Sequence, residues 1–408
     1  MKKIVILFIL LIGQIGLNAQ NNEIDHAKVR EDLAEILHDI SAYYSYLPDK
    51  KIDLNCIREN YTKQITQLKT PDDVVLFFEY LLDEFWDSHL ILNTNRSSSF
   101  RLYAPIYLSI QNDKPIITSV WQSQLATIAH PILGAEVLKI NGMKFSKAVQ
   151  AFPTHCQNKQ LPEVKEWVGN KLLAGRYNQP RIITLKLLSG KIIEFDLDAI
   201  QVLKTEGLLT SKIQDNIGII RINNSLGNNA LIEQFDQTLS TLMNTDGLIL
   251  DLRNTVDGGN SYVARGIMSR FIHEPKAYQR HVTSEQYDDG PAIERNWVEY
   301  VSPRLQQYKK PVVILIGRWT GSMGEGLAIG MDGMNRAKLV GTEMERLAGG
   351  MAGFSFKHQR FGYRLSVERL YHVDGTPREK YVPTHYVAQK TLKKDEILER
   401  GLQLLKKK

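Results

Sequence analysis

Three continuous apolar segments in the second half of the chain limit its fold more than any other feature. They span residues 217–222, 247–252 and 312–316, and a stretch with helical character follows each of them. Strands that are apolar on both faces are typical of a parallel sheet with helices on each side. The alternation of strand and helix therefore predicts βαβ units and a largely parallel sheet for residues 206–408.

The first half of the chain follows other periodicities. Apolar residues recur at helical spacing between residues 24 and 86, where a third helix is predicted to begin at Thr70-Pro71. Short β runs separated by turns dominate residues 101–205, with helical stretches between them. The sequence predicts a multidomain α/β protein with three parts: a helical N-terminal domain at 20–98, a compact β domain at 99–205, and an α/β core at 206–408.

The first nineteen residues have the pattern of a secretory signal peptide. Lys2 and Lys3 precede an apolar run that continues to Leu17, and the small residue Ala19 follows. The run is short for a bilayer span, and its glycines disfavour the alternative of an uncleaved anchor helix. We therefore expect cleavage after Ala19, export to the periplasm or the extracellular space, and no stable membrane insertion of the mature chain.

Composition excludes several classes of protein. The chain is 43% hydrophobic and 24% charged, which are ordinary globular proportions. Its 51 Lys and Arg against 45 Asp and Glu give a net charge of +6, with no basic tract interleaved with aromatic residues to bind nucleic acid. We see no metal or nucleotide motif, so no cofactor is expected. The two cysteines, Cys56 and Cys156, fit no metal spacing, and the sequence leaves open whether they pair.

Two glycine-rich loops follow buried strands and are the candidates for chemistry. They span residues 251–260 and 317–326, and parallel strands place both at the carboxyl edge of a sheet. Ser322 lies where the second loop enters a helix, so a developing oxyanion there can meet backbone N–H groups. Ser322 is therefore either a nucleophile or a simple helix cap. Thr320 breaks the Gly-x-Ser-x-Gly pattern and disfavours an α/β-hydrolase elbow.

Four features, in this order along the chain, resemble the C-terminal-processing (tail-specific) and tricorn family of serine peptidases. They are Asp87-Ser88-His89, the β domain at 101–205, Asp251-Leu252-Arg253 with Gly258-Gly259, and Ser322-x-x-Glu325 followed by Leu339-Val340-Gly341. The stretch 134–142 is similar to the second half of a PDZ domain. The resemblance implies a PDZ-like domain at 99–205 and a catalytic core at 206–408 like that of the Clp protease and crotonase folds.

The same resemblance assigns the catalytic roles. It makes Ser322 the nucleophile and forms the oxyanion hole from the N–H groups of Met323 and of Gly258 or Gly259. The C-terminal-processing branch activates its serine with a lysine about 25 residues downstream, but residues 347–351 contain no lysine. A Ser–Lys dyad is therefore not expected.

The tricorn-like branch uses a histidine and an acid, and His89 and Glu379 match their positions. His89 would accept the serine proton, and Glu379 would fix its tautomer. The alternatives are a surface histidine at a helix end and a solvated charge beside Arg378 and Lys380. An unperturbed histidine base predicts that activity rises between roughly pH 6 and 7.

Three further interpretations concern residues near this site. Asp251 and Arg253 are expected to pair and shape their loop, and Glu325 to support the start of its helix. The stretch 105–108 lacks the glycines that bind a peptide carboxylate, so recognition of a free C-terminus is not indicated.

Taken together, the sequence predicts an exported serine peptidase that acts on protein or peptide substrates. Two alternatives remain: a catalytically inactive peptide-binding relative, and a crotonase-like acyl enzyme. The retained Ser322-x-x-Glu325 argues against the first. The export signal and the PDZ-like insert argue against the second. Oligomeric state is not specified by the sequence.

Overall fold

The computed structural model describes residues 24–406, apart from 126–127, 129, 204 and 287–289. The predicted signal peptide lies outside the described residues. Across these ranges, no helix combines the length and the apolar character that crossing a membrane requires.

The N-terminal region is helical, as predicted. Thr70 begins its last helix with a capping box: Thr70 Oγ1 accepts the Asp73 N–H at 3.1 Å, and the Asp73 carboxylate accepts the Thr70 N–H at 2.9 Å. Apolar faces of these helices form one buried cluster. The helices are α1 His26–Tyr43, α2 Leu47–Lys50, α3 Leu54–Gln64, a 3₁₀ turn at Ile65–Gln67, and α4 Pro71–Asp83, followed by strand β1 Ile91–Leu92.

The middle region is a mainly antiparallel sheet with two helices packed against it. Its strand order is β2-β3-β4-β6-β7, with β5 paired to β4. The strands are β2 Ile106–Gln111, β3 Lys114–Val120, β4 Glu136–Ile140, β5 Met143–Lys144, β6 Ile182–Lys186 and β7 Ile192–Asp196; the helices are α5 Phe145–Gln150 and α6 Pro162–Ala174, with a 3₁₀ turn at Gln122–Gln124.

The C-terminal region contains the predicted largely parallel sheet, in the order β17-β14-β13-β10-β9-β8. All its neighbouring strands are parallel except β8 and β9, which are antiparallel. Its strands are β8 Leu209–Gln214, β9 Ile217–Ile222, β10 Gly247–Asp251, β13 Val312–Ile316, β14 Lys338–Gly341 and β17 His385–Tyr386; its helices are α7 Leu231–Thr241, α8 Ser261–Met268, α9 Met323–Gly333 and α10 Glu396–Leu405.

A second sheet of this region joins it to the N-terminal helices. Its order is β1-β16-β11-β12, and β15 pairs with β16. Strand β1 is antiparallel to β16, with Ile91 opposite Arg364. The added elements are β11 Lys276–Glu285, β12 Ile293–Val301, β15 Gly350–Ser355, β16 Gly362–Tyr371 and a 3₁₀ turn at Arg378–Lys380. This sheet therefore connects the residues just after His89 to the core.

Covalent and polar links fix the helical region to the middle region. Cys56 of α3 and Cys156, in the segment between α5 and α6, form a disulfide, which settles the pairing that the sequence left open. The buried carboxylate of Glu84 accepts the N–H groups of Cys156 at 2.9 Å and Gln157 at 3.1 Å. The two regions are thus held together where α4 ends.

Two tryptophans fix the middle region to both glycine-rich loops. The rings of Trp121 and Trp319 stack with centroids 5.4 Å apart and planes 1° from parallel. Trp319 donates its indole N–H to the Ala104 carbonyl at 3.0 Å, and Trp121 donates to the Arg253 carbonyl at 2.9 Å. The middle region therefore packs directly on the loops that carry the candidate chemistry.

We predict that the double variant Cys56→Ser/Cys156→Ser is less stable than the parent protein by about 2–4 kcal/mol, because a cross-link across a long loop restricts the unfolded chain. Urea denaturation of both proteins measures the difference. A thiol reductant provides the control, since it should lower the stability of the parent and leave the double variant unchanged. Equal denaturation midpoints in the two proteins would contradict the prediction.

Candidate active site

Ser322 lies in a tight turn between β13 and α9. Its backbone has φ of 49°, a left-handed conformation that is uncommon for a residue other than glycine and often marks a functional site. Thr320 fixes the preceding turn, because its hydroxyl donates to the Leu252 carbonyl at 3.0 Å and accepts the Gly317 N–H at 3.1 Å. The two glycine-rich loops are therefore joined just before the serine.

Gly258 of the first loop approaches Ser322 more closely than any other residue type could. A Cβ on Gly258 would lie 2.4 Å from the Ser322 Cβ and 3.0 Å from the Met323 nitrogen. Gly258 also has φ of +65°, which favours glycine. The structure thus brings together the three elements that the sequence placed at one sheet edge: the serine, the next N–H in the chain, and the first glycine loop.

The structure distinguishes between the two glycines proposed for an oxyanion hole. The Gly258 N–H already donates to the Thr255 carbonyl at 2.9 Å. No hydrogen bond within the described part of the chain engages the N–H of Gly259 or of Met323. The free donors at this turn are therefore those of Met323 and Gly259, while Gly258 supplies the close approach.

Glu325 is fully buried one turn into α9 and holds the nucleophile loop. Its carboxylate accepts the Ser322 N–H at 3.0 Å and the Arg346 N–H at 2.8 Å, and it lies 3.8 Å from the guanidinium Nε of Arg378. Burial raises the pKa of Glu325 to about 7, against the opposing effects of the Arg378 charge and the backbone donors. The expected support of the helix start is confirmed, and Glu325 also binds the loop after β14.

Arg378 organises that loop from the other side. Its guanidinium donates to the Leu347 carbonyl at 3.1 Å and to the Gly349 carbonyl at 2.7 Å. Arg378 is itself 2% exposed, so these contacts are made away from solvent. Residues 346–349 are therefore fixed by Glu325 and Arg378 acting together.

His89 is bound to the same loop and is not a surface histidine, since it is only 3% exposed. Its Nδ1 lies 2.8 Å from the Ala348 carbonyl, which can only accept, so Nδ1 carries the proton. Nε2 is then the basic nitrogen, and it is buried without a hydrogen-bond partner. Burial, and next the Arg378 charge, lower the pKa of His89 to about 4. His89 is therefore neutral at pH 7.

The backbone at His89 is also held in place. Asp87 accepts the His89 N–H at 2.9 Å through one carboxylate oxygen and the Tyr44 hydroxyl at 2.7 Å through the other. No hydrogen bond joins Ser322 Oγ to His89 Nε2, and both residues are tied to the loop at 346–349. Such contacts are often formed only when substrate binds.

The direct contact expected between Glu379 and His89 is absent, which corrects the sequence-based expectation. The Nδ1 position is taken by the Ala348 carbonyl, which belongs to the loop held by Arg378. The Glu379 carboxylate instead accepts the Tyr46 hydroxyl at 3.4 Å, and burial raises its pKa. A backbone carbonyl has no side-chain signal, so the sequence could not have indicated Ala348.

Glu345 is a second acid that sequence reasoning missed at the nucleophile loop. A Cβ on Gly321 would lie 2.2 Å from Glu345 Oε2, so this carboxyl packs directly against the residue before Ser322. Burial, and then the charges of Glu325 and Asp257, raise the pKa of Glu345 well above its usual value. The acid thus adds less negative charge beside the serine than an exposed glutamate would.

The predicted pairing of Asp251 and Arg253 is confirmed. Two nitrogens of the Arg253 guanidinium each donate to the Asp251 carboxylate at 2.8 Å, and the guanidinium also contacts Asp395 at 2.8 and 2.9 Å. The pair shapes the first loop and anchors the start of α10. Among the described residues, no group of three or more His, Cys, Asp or Glu side chains is arranged to hold a metal ion.

Two family models match the chain. Residues 216–387 match the model of peptidase family S41, and residues 25–83 match the tricorn protease C1 domain. The first match includes Ser322, Gly258 and the loop at 346–349. No curated protein matches the sequence.

Solved structures share the fold at low sequence identity. Mature CPAF in complex with lactacystin aligns with a TM-score of 0.61 and 14% identity, over 93% of this chain and 97% of that chain. A putative peptidase from Parabacteroides merdae aligns at 0.55 and 15%, over 93% and 96%. The photosystem II D1 C-terminal processing protease aligns at 0.54 and 13%, over 88% and 93%.

The alignments cover nearly all of each chain and show a mixed α/β fold with a helical N-terminal region. Over the two matched ranges the chain is similar to the C-terminal-processing and tricorn family of serine peptidases, and these matches indicate a serine-type peptide hydrolase.

Proposed function

We propose that this protein is an exported peptidase that hydrolyses peptide bonds of protein or peptide substrates, with Ser322 as nucleophile and His89 as general base. The observation that carries the proposal is the state of His89: buried, neutral, with Nδ1 protonated and Nε2 free to accept a proton. A histidine in this state has the form that a general base for serine requires.

The proposed reaction has two stages. Ser322 Oγ attacks the scissile carbonyl carbon as His89 Nε2 takes the hydroxyl proton, and the oxyanion forms beside the N–H groups of Met323 and Gly259. His89 then gives that proton to the leaving amine, and an acyl-enzyme remains. Water attacks the ester carbonyl with His89 again as base, and the acid product and free serine result.

Glu379 has a positioning role in this proposal. It accepts the hydroxyl of Tyr46 rather than contacting His89. The Tyr46 side chain lies near Asp87, whose charge acts on it together with that of Glu379. Glu379 therefore stabilises the segment that holds Asp87, and Asp87 binds the His89 backbone.

Several finer assignments belong to the same proposal. We assign residues 99–205 to a PDZ-like domain and residues 206–408 to a core of the Clp protease and crotonase type. Residues 1–19 serve as the export signal, and the protein works in the periplasm or outside the cell. Similarity to a peptidase family favours peptide hydrolysis over crotonase-like acyl chemistry.

We predict that Ser322→Ala and His89→Ala each lower kcat/KM for an unfolded protein substrate by about 10³-fold or more, because members of a catalytic unit fail together. Glu379→Gln should lower kcat/KM by a smaller factor, because Glu379 contacts Tyr46 and not His89. The measurement pairs cleavage assays with labelling by a fluorophosphonate and mapping of the modified residue. Undiminished cleavage by Ser322→Ala would exclude this serine, and a parent protein that neither cleaves nor labels would indicate an inactive peptide-binding relative.

The pH profile should differ from that of an exposed histidine. A base must be unprotonated, and burial lowers the pKa of His89 to about 4, so kcat/KM should rise with pH through the region near 4 and then level. This prediction differs from the rise between pH 6 and 7 that an unperturbed histidine would give. Circular dichroism at each pH controls for acid unfolding. Because burial also raises the pKa of Glu325 to about 7, the profile is repeated with Glu325→Gln, and a limb centred near 6.5 that persists in this folded variant would show that His89 is solvated or is not the base.

In the PDZ-like domain, side chains of α6 fill the strand edge to which a bound peptide would add. β2 is the terminal strand of its sheet, and the Asn170 side chain of α6 accepts the Leu108 N–H at 3.0 Å and donates to the Leu108 carbonyl at 2.9 Å. Glu166 accepts the Ile110 N–H at 3.0 Å. Since the backbone groups that pair with a peptide are taken, we propose that this domain does not read a free C-terminus.

We predict that peptides with free C-termini show no saturable binding to this domain at micromolar concentration, by fluorescence anisotropy on the full chain. Asn170→Ala should lower the free energy of unfolding by about 1–3 kcal/mol, because it leaves two backbone groups of Leu108 without partners. Lys147→Ala, at an exposed position on α5, provides the control and should have little effect. Tight, C-terminus-dependent binding to the parent protein would contradict the proposal.

A further inference from the structure

A cleft of about 490 Å³ is lined in part by the residues that directly follow His89 in the chain, and it is not part of the catalytic geometry described above. One wall is the segment 90–95, which includes β1 and begins one residue after His89. The end of α4 and the segment 99–102 line other parts of it, with Tyr177 at the rim. Its volume is in the range of about 300–1,000 Å³ that is typical of ligand sites.

The strand that lines this cleft has an open edge. β1 is the terminal strand of the order β1-β16-β11-β12. The Asn93 N–H donates to the Gly362 carbonyl at 2.9 Å, so alternation along an antiparallel ladder directs the backbone groups of Leu92 away from β16. Neither group of Leu92 has a hydrogen bond to another described residue. An extended peptide can therefore pair with this edge.

The lining of the cleft combines apolar side chains with polar and charged ones, among them Glu79, Lys171 and Arg364. Leu82, Leu90 and Phe100 line the cleft, and two apolar side chains remain exposed at its rim, Leu102 at 57% and Tyr177 at 47%. Tyr177 lies near Tyr103, whose pKa burial raises to about 12, with further contributions from Asp257 and Glu345 of the active-site loops.

One polar group in the cleft lacks a partner. Asp83 is 3% exposed; its Oδ1 pairs with the Lys171 ammonium at 2.9 Å, but Oδ2 is buried with no hydrogen bond to any described residue. An unpaired buried oxygen of this kind is costly and is satisfied by a donor. Because Lys171 already balances the charge, the vacant oxygen suits a neutral donor better than a second cation.

We propose that this cleft is a substrate-docking groove, in which an extended peptide segment adds as a strand to the open edge of β1 and presents a hydroxyl or amide donor to Asp83. The proposal rests on the proposed peptidase function and extends it to substrate selection. Leu102 and Tyr177 cover the bound segment from the rim. Asp83 determines which side chain is preferred at one position.

Binding to the Ser322→Ala protein tests the groove without cleavage. The probes are fluorescein-labelled Ala/Leu decapeptides in which one Thr is moved along the sequence, each with a matched peptide carrying Val in place of Thr. We expect the Thr peptide to bind roughly tenfold more tightly than its Val partner at one position, because the two differ only in the donor. N-methylation at alternate backbone positions should weaken binding in that register.

Variants locate the binding surface. Leu102→Ser and Tyr177→Ser, each added to Ser322→Ala, should weaken binding at least fivefold. Ile213→Ser, which changes an equally exposed residue on β8, should leave it unchanged. Asp83→Ala should remove the preference for Thr over Val peptides. This preference is a ratio of two affinities measured on the same variant, so it does not depend on any stability that the variant loses because Lys171 is unpaired.

The outcomes separate this proposal from the peptidase assignment. Unchanged affinity in both rim variants, or equal affinity for Thr and Val peptides at every position, would overturn the groove even if the enzyme cleaves protein. If peptides bind in the groove but the parent protein neither cleaves substrate nor reacts with the fluorophosphonate, the groove proposal holds and the proposed peptidase function is wrong.

Discussion

The buried carboxylate of Glu325 is the constraint on which the candidate site depends. It binds the Ser322 N–H and the Arg346 N–H at once, so the nucleophile turn and the loop after β14 share one anchor. Arg378 lies beside it and fixes the carbonyls of Leu347 and Gly349. The carbonyl between them, Ala348, sets the tautomer of His89. Serine and histidine, from distant parts of the chain, are thus positioned by one buried ion pair and a short loop.

The regions of the chain are fixed to one another at the same place. The disulfide and the Glu84 carboxylate join the helical region to the middle region, and the Trp121–Trp319 stack joins the middle region to both glycine loops. In the middle region, α6 fills the free edge of β2 with its own amide and carboxylate. These contacts favour a rigid middle region that supports the two glycine-rich loops, and they leave the edge of β1 open for the extended substrate that we propose.

Much of the candidate site was accessible from sequence because it is built from local signals. A serine between a buried strand and a helix, with glycines on both sides, must lie at a sheet edge, and Gly258 then has to reach it. The Asp251–Arg253 pair was likewise predictable, since the two residues are separated by one position. The part that sequence reasoning assigned incorrectly was the partner of His89. That partner is a main-chain oxygen, whereas Glu379 was selected only by its distance from Ser322 along the chain.

The sequence by itself determined the architecture and the location of the candidate nucleophile: periodicity set the helices, the apolar strands and the parallel sheet, and glycine spacing marked the turn at Ser322. Only the tertiary structure decided the state of His89, the Cys56–Cys156 pairing and the occupied edge of β2. The reason is physical. Local patterns record which face of an element is buried, whereas a histidine's pKa or an oxygen's partner depends on burial and on groups hundreds of residues away, which no local pattern encodes.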